Sequence, residues 1–334
     1  MFNLIYNSFY QNIFPIFDNL FLILLYIYHI LFLIIIGGNI CMKSRLVLIS
    51  IMVLWSTAGI FTRKISMPSY QITFFRYLTA FLFMMCVLLI KRRKIDLKKV
   101  LKDYKILIIT GVALALNSIM MIASYQYITI SKAIICYYVA PIIVALCSKI
   151  IFKEKIGFKK SICLIISFTG IIFTAFSKSQ AAESNPALGV TCALLAALFY
   201  AILTLGGKSV NSLTGISLMV VQFLISFITC AVYSVFSGGI NFDSLTLNNT
   251  CYLLIVGIVY TDICYLIYFI SIKKIPAHET AILTYTEPAA AVFISYFVLK
   301  EGASALQFLG SFLVICSMCA SEINITNLLR KKSN

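Results

Sequence analysis

Apolar residues along this 334-residue chain fall in long unbroken runs, without the one-sided period of a half-buried helix or strand. Ten runs stand out, at about 46–65, 71–90, 105–127, 133–152, 160–177, 187–206, 215–237, 251–272, 279–299 and 304–322. Each holds roughly 18 to 23 residues, which at about 1.5 Å per residue matches a hydrocarbon core of about 30 Å. The polar stretches between them are short, the longest being Lys91–Lys105, Lys178–Pro186 and Gly238–Asn249. No soluble domain fits between runs. The pattern predicts an all-α integral membrane protein of ten transmembrane helices.

The two halves repeat. Tyr138-Val-Ala-Pro141 recurs as Tyr285-Thr-Glu-Pro288, and Lys153-Glu154 as Lys300-Glu301, both 147 residues later. Arg76 falls opposite Gln222 and Gly111 opposite Gly257, at an offset of 146. A constant offset across several landmarks indicates duplication. Repeat 1 covers 44–177, repeat 2 covers 186–322, and 323–334 is a tail. Five runs per repeat is an odd number, so the second copy is expected to be inverted. Charge agrees. The loop between runs 2 and 3 carries Lys91, Arg92, Arg93, Lys94, Lys98, Lys99, Lys102 and Lys105, while its counterpart between runs 7 and 8 carries no Lys or Arg. Basic residues mark the cytoplasmic side, which puts both ends of the ten-run core in the cytoplasm. Such inverted repeats suit secondary transporters, whose similar halves exchange inward and outward shapes around a midplane site.

Residues 1–41 contain no Lys or Arg, so they lack the charged start of a signal peptide. Leu20–Ile36 is apolar and nearly long enough to span. It reads either as an eleventh helix with an external N-terminus or as an upstream translation artefact with Met42 as the true start. The second is favoured, because charge counting gives this segment no orientation of its own.

Composition narrows the class. With 61% apolar and 11% charged residues, the chain is neither an ordinary soluble enzyme nor a disordered protein. The net charge of +16 does not imply a nucleic-acid partner, because the basic residues lie between apolar runs, against lipid headgroups. The 11 cysteines are scattered singly and read as small hydrophobes. Cys316 and Cys319 form a C-x-x-C inside the last run, where packing is the expected role.

The sequence resembles the EamA-type permeases of the drug/metabolite transporter superfamily. The likeness rests on Trp55-Ser-Thr-Ala-Gly-Ile-Phe-Thr-Arg-Lys64, on Arg76, on Pro141…Glu154 and Pro288…Glu301, and on Thr286-Glu287-Pro288-Ala289. It implies ten helices, a central cavity between the halves and transport of small metabolites, often outward. Where the family is expected to carry a small apolar residue after Thr261, this chain has Asp262.

Ionisable residues deep in a bilayer are expensive and therefore expected to face a cavity or a partner. Asp262, midway along run 8, is a candidate proton carrier or counter-ion. The alternative is a structural carboxylate satisfied by Thr261, a Tyr hydroxyl or a basic neighbour. Glu287 in run 9 is a candidate for proton exchange, or else a tie between helices. Pro288 and Pro141 break their helices and are expected to release the carbonyls of Thr284 and Tyr137 toward the cavity. Thr284 and Glu287 share one stripe with Thr280 and Ala291, and Tyr137 and Tyr285 are expected cavity walls. Arg76 either binds a substrate carboxylate bidentately, or snorkels or pairs structurally, the latter being favoured for a basic residue toward a helix end. Trp55, Tyr125, Tyr200 and Tyr265 could line an aromatic cavity. Glu154 and Glu301 are expected to pair with the adjacent Lys153 and Lys300, and His278 stands at the mouth of run 9.

No phosphate loop, metal motif or catalytic constellation is present, so no cofactor, no metal and no enzymatic reaction are expected. The reading is a secondary transporter of the cytoplasmic membrane. It moves an amino-acid-like solute or drug between helices 3, 4, 8 and 9, outward, with proton coupling by Asp262 or Glu287. The rivals are a non-transporting receptor or assembly factor and a membrane-embedded lipid enzyme. The oligomeric state is left open, a monomer being one reading.

Overall fold

The computed structural model describes residues 40–62, 64–92, 94–128, 130–154, 156–175, 184–297 and 305–322. Among them are helices and connecting loops and no strand. The leader up to residue 39, the tail from 323, and Lys300 and Glu301 lie outside the described residues.

Run 1 forms α1 (Ile40–Trp55) and α2 (Ala58–Thr62), and run 2 forms α3 (Ser69–Ile90). A short basic helix, α4 (Leu97–Lys102), precedes α5 (Tyr104–Tyr127). Run 4 supplies α6 (Ile130–Tyr137) and α7 (Ala140–Ile151), and run 5 supplies α8 (Phe158–Ala175). Repeat 2 continues with α9 (Pro186–Ser209), α10 (Gly215–Ser237) and α11 (Leu247–Ile272), whose middle, Ile255–Ile263, is π-helical. Run 9 forms α12 (Ala277–Thr284) and α13 (Thr286–Phe297), and run 10 forms α14 (Ala305–Glu322).

Five of these, α3, α5, α9, α10 and α11, are long and apolar enough to cross a membrane. Runs 4 and 9 are divided for a physical reason. Proline offers no N–H and its ring crowds the carbonyl four residues back, so Pro141 and Pro288 each stop the helix before them. Helix starts use local caps: the Asn185 side chain accepts from the Leu188 N–H, with Pro186 in the first turn, and Thr246 accepts from Asn249.

The packing respects an exchange of the repeats. Helices α3 and α10 occupy equivalent places and run antiparallel, with the start of α3 beside the end of α10 through Ser234 and Tyr70. Helices α8 and α14 do the same. Ser317 donates to Ser167's neighbourhood on α8, reaching the Cys163 carbonyl, and Ser167 donates to Ser317 at 2.9 Å. Helix α5 packs on α9 and α10, and its counterpart α11 packs on α1 and α3.

Two glycines make the exchange close. A Cβ added to Gly111 would lie 3.4 Å from the Gln222 carbonyl oxygen and 2.7 Å from Ile225 Cβ. A Cβ on Gly257 would lie 3.4 Å from the Arg76 carbonyl oxygen and 2.9 Å from Thr79 Cβ. The residues paired by the 146-residue offset thus meet crosswise, each glycine admitting the backbone of the other repeat. Small residues at helix contacts serve this purpose where lipid supplies no hydrophobic force between helices. The packing role expected of Cys316 and Cys319 is corrected: both are exposed, on the side of α14 opposite the buried Ser311, Val314 and Ser317.

Gly111→Leu and Gly257→Leu are each expected to lower the melting temperature of the detergent-purified protein, through overpacking of about 1–3 kcal/mol. Leu substitution at Gly157, where nothing lies within 4 Å, is expected to leave it unchanged.

Candidate functional site

Seven helices converge on an aromatic centre. Trp55, the last residue of α1, donates its Nε1–H to the Tyr260 carbonyl at 2.8 Å. Its ring meets Tyr265 edge-on at 4.9 Å and Tyr268 at 5.5 Å. Tyr268 reaches the Thr204 hydroxyl at 2.8 Å and the Tyr200 hydroxyl at 3.1 Å, both on α9. Tyr137, ending α6, meets Tyr200 ring to ring and accepts from Asn117 Nδ2 of α5 at 3.4 Å. Asn117 also donates to the Ala196 carbonyl at 2.9 Å.

The charged groups of this centre come from different repeats. Arg76 on α3 donates its Nε–H to Thr261 Oγ1 at 2.5 Å, and its guanidinium lies 5.8 Å from the Tyr77 ring centre. Of the two structural alternatives for Arg76, this is the pairing and not the snorkelling: the side chain turns inward to the π stretch of α11. Thr261 can receive it because its own hydroxyl is anchored on the Val256 carbonyl, five residues back. Glu287, in the first turn of α13, hydrogen-bonds the Tyr138 hydroxyl. Arg76, Glu287, Trp55 and Tyr137 are all partly exposed within otherwise buried surroundings. Among the described residues, no carboxylate pairs with Arg76 and no cation pairs with Glu287.

Other expectations change. Tyr285 is fully buried, and its hydroxyl donates to the Tyr138 carbonyl at 3.0 Å, so it ties the two broken helices together and is no cavity wall. In run 4 the carbonyl answered by this hydroxyl is that of Tyr138, next to the Tyr137 carbonyl that Pro141 leaves without its helical donor. Thr284 is buried and its hydroxyl bonds the Ala281 carbonyl at 2.9 Å, so it too faces its own helix. Asp262 is fully buried, and among the described residues neither carboxylate oxygen has a hydrogen-bond partner. The structural alternative for it, satisfaction by Thr261 or a Tyr hydroxyl, is therefore overturned; Thr261 serves Arg76 instead. Sequence reasoning missed Asn117, Thr204, Tyr138 and Tyr268. Asn117 left a signal, an amide deep in an apolar run.

At one end of the bundle the loops are held by charge. Glu154 does not pair with Lys153. Its Oε1 accepts from Lys208 Nζ at 2.8 Å and the Ala277 N–H at 3.0 Å, and its Oε2 lies 2.8 Å from His278 Nδ1. Glu279 pairs with Arg45 and with Lys160. Asp103 accepts from the Ser212 hydroxyl at 2.6 Å and from the N–H groups of Asn211 and Ser212. At the other end, the hydrogen bonds between loops among the described residues come from neutral groups. There the Ser66 N–H donates to Asn249 Oδ1 at 3.1 Å, and Ser244 donates to Gln71 Oε1 at 3.1 Å.

A helical bundle with broken helices, internal duplication and a charged aromatic centre defines a polytopic membrane transporter. The EamA-like transporter family matches residues 42–176 and 187–321, and the chain belongs to that family. It is a drug/metabolite-type permease, not an enzyme. The uncharacterized transporter YxxF of Bacillus subtilis (strain 168) is 26% identical over 274 residues, covering 81% of this chain and 87% of that protein. The uncharacterized transporter YojE of the same organism is 25% identical over 260 residues, covering 76% of this chain and 84% of that protein. A solved crystal structure shares the fold with a TM-score of 0.73 at 11% identity, covering 84% of this chain and 98% of that one.

Burial opposes the charge of Glu154, but the hydrogen bonds from Lys208, Ala277 and His278 outweigh it and hold the carboxyl at about 2, below its ordinary 4.5. The hydrogen bonds from Ser212 likewise hold Asp103 low. A lowered folded-state value stabilises above the unfolded value and is lost as pH falls. The melting temperature is therefore expected to drop as pH goes from about 4.5 toward 2. Glu154→Gln is expected to lower stability at pH 7 and flatten part of that drop, as a thermal-unfolding series in detergent would read.

Proposed function

We propose that the protein is a secondary transporter that moves a small organic solute across the cytoplasmic membrane by alternating access. Ten spanning helices form two inverted five-helix repeats, with both ends of the core in the cytoplasm. Supporting the orientation is the gathering of Arg45, Lys160, Lys208 and Lys273 at the end that also holds the basic α4 loop. The solute binds at the aromatic centre between the repeats, and transport runs outward.

The observation that carries this reading is the placement of Arg76 and Glu287. They come from different repeats, are a guanidinium and a carboxyl group, and lack an ionic partner among the described residues. A membrane protein that leaves two such groups partly exposed on an aromatic surface has a ligand for them. Arg76 supplies a guanidinium fork for a carboxylate. Glu287 takes a cationic group of the solute or a proton. Trp55, Tyr137 and Tyr265 supply the apolar wall. Asp262, buried and without a hydrogen-bond partner among the described residues, is the second proton-coupling group: a bare carboxylate there costs several kcal/mol, so its charge changes only with a conformational change that gives it a partner or water.

Proteoliposome flux of carboxylated metabolites under an imposed pH gradient tests the proposal. Wild-type protein is expected to give saturable flux that the gradient accelerates. Arg76→Gln is expected to reduce it by roughly 10- to 100-fold, the loss of one charge-assisted pair. Glu287→Gln or Asp262→Asn is expected to remove the acceleration. Absence of saturable flux for every solute tried would refute transport, and flux indifferent to the gradient would remove the coupling role.

A further inference from the structure

The inverted repeat by itself favours neither end of the site, because exchanging the halves exchanges the two openings. The charges break that balance. Every residue from Ala277 to Thr286 is buried, so the approach to Glu287 from the charged end is shut. Two clusters hold it so. Glu279, 7% exposed at its side chain, lies between Arg45 of α1 and Lys160 of α8. Glu154, in the loop after α7, joins Lys208 of α9 to the first residues of α12 through Ala277 and His278. Lys160 Nζ lies 3.2 Å from His278 Nε2, linking the two clusters. Every contact in them crosses from one repeat to the other: Arg45, Lys160 and Glu154 belong to the first, Glu279, Lys208 and His278 to the second.

The equivalent positions do not carry the same pairs: Glu154 corresponds to Glu301, which lies outside the described residues, and the partners differ. At the 147-residue offset Glu279 corresponds to Lys132, Lys160 to Gln307, His278 to Ser131 and Lys208 to Phe61. Phe61 is buried against the rings of Tyr252 and Tyr260. Aromatic packing thus stands where an ion pair stands across the molecule.

We infer that the Arg45–Glu279–Lys160 and Lys208–Glu154–His278 clusters form a one-sided latch that closes the basic end and makes the state open toward the other end the resting one. Calling the basic end cytoplasmic rests on the function proposed above; the latch itself does not. The two glutamates are largely buried beside their cations, and removing one partner of such a pair leaves an uncompensated charge, so opening this end has to separate ion pairs that the other end does not hold among the described residues. A solute or gradient that drives the cycle must supply that difference.

Hydrogen–deuterium exchange of the full chain in lipid nanodiscs tests the latch. In Glu279→Gln, and separately in Lys160→Gln, which leaves Arg45 on Glu279, amides of 277–284 are expected to exchange roughly tenfold faster than in wild type. Amides of 66–71 and 241–250 at the opposite end are expected not to accelerate. Unchanged exchange over 277–284 in both variants would overturn the inference, as would equal acceleration at both ends, which is general loosening. No solute enters the measurement, so missing flux would sink the transport proposal and leave the latch standing. Intact flux with unchanged exchange would do the reverse.

Discussion

A backbone carbonyl released inside a bilayer finds no water, so each break in a spanning helix has to be answered by another protein group. This constraint organises the middle of the molecule. Pro141 interrupts run 4, and Tyr285 from the equivalent break in run 9 donates to the Tyr138 carbonyl. The π stretch of α11 is steadied by Trp55 on the Tyr260 carbonyl and by Thr261 on that of Val256. Each repair brings an aromatic or hydroxyl side chain to the centre. The site is therefore built from the same groups that make broken helices tolerable.

The repeats meet with little room to spare. Gly111 admits the backbone at Gln222, and Gly257 admits the backbone at Arg76. The contact at Gly257 sets α3 against α11 closely enough for Arg76 to reach Thr261. The duplicate position carries Gln222, whose Nε2 donates to Thr110 and whose Oε1 is buried without a partner among the described residues. One fold position thus gives a charged, partly exposed group in one repeat and a buried amide in the other. The same divergence appears at the breaks, where Glu287 has Ala140 as its counterpart.

The charged end shows how far a local reading can mislead. Lys153 adjoins Glu154 in sequence, yet Lys153 adopts a positive φ of 54° and Glu154 turns to Lys208, Ala277 and His278. Pairing with a distant, less exposed cation and a backbone N–H gives the carboxylate fixed donors, which a flexible neighbouring lysine does not. Glu279 drew no notice in the sequence because it sits where an apolar run begins. Only the convergence of α1, α8 and α12 supplies its two cations.

Membership of a helical membrane class, the duplication and the proline breaks were legible in the chain, because run length, a fixed offset and a missing N–H are local properties. So was the prominence of Arg76, Glu287 and Asp262, since a charge in an apolar run stands out wherever it points. Where each side chain points was decided by the tertiary structure. Thr261 rather than solvent receives Arg76, Tyr285 is a tie rather than a wall, and Asp262 finds no partner among the described residues, because those outcomes depend on which helix of the other repeat lies alongside, and hydrophobicity along the chain carries no record of that.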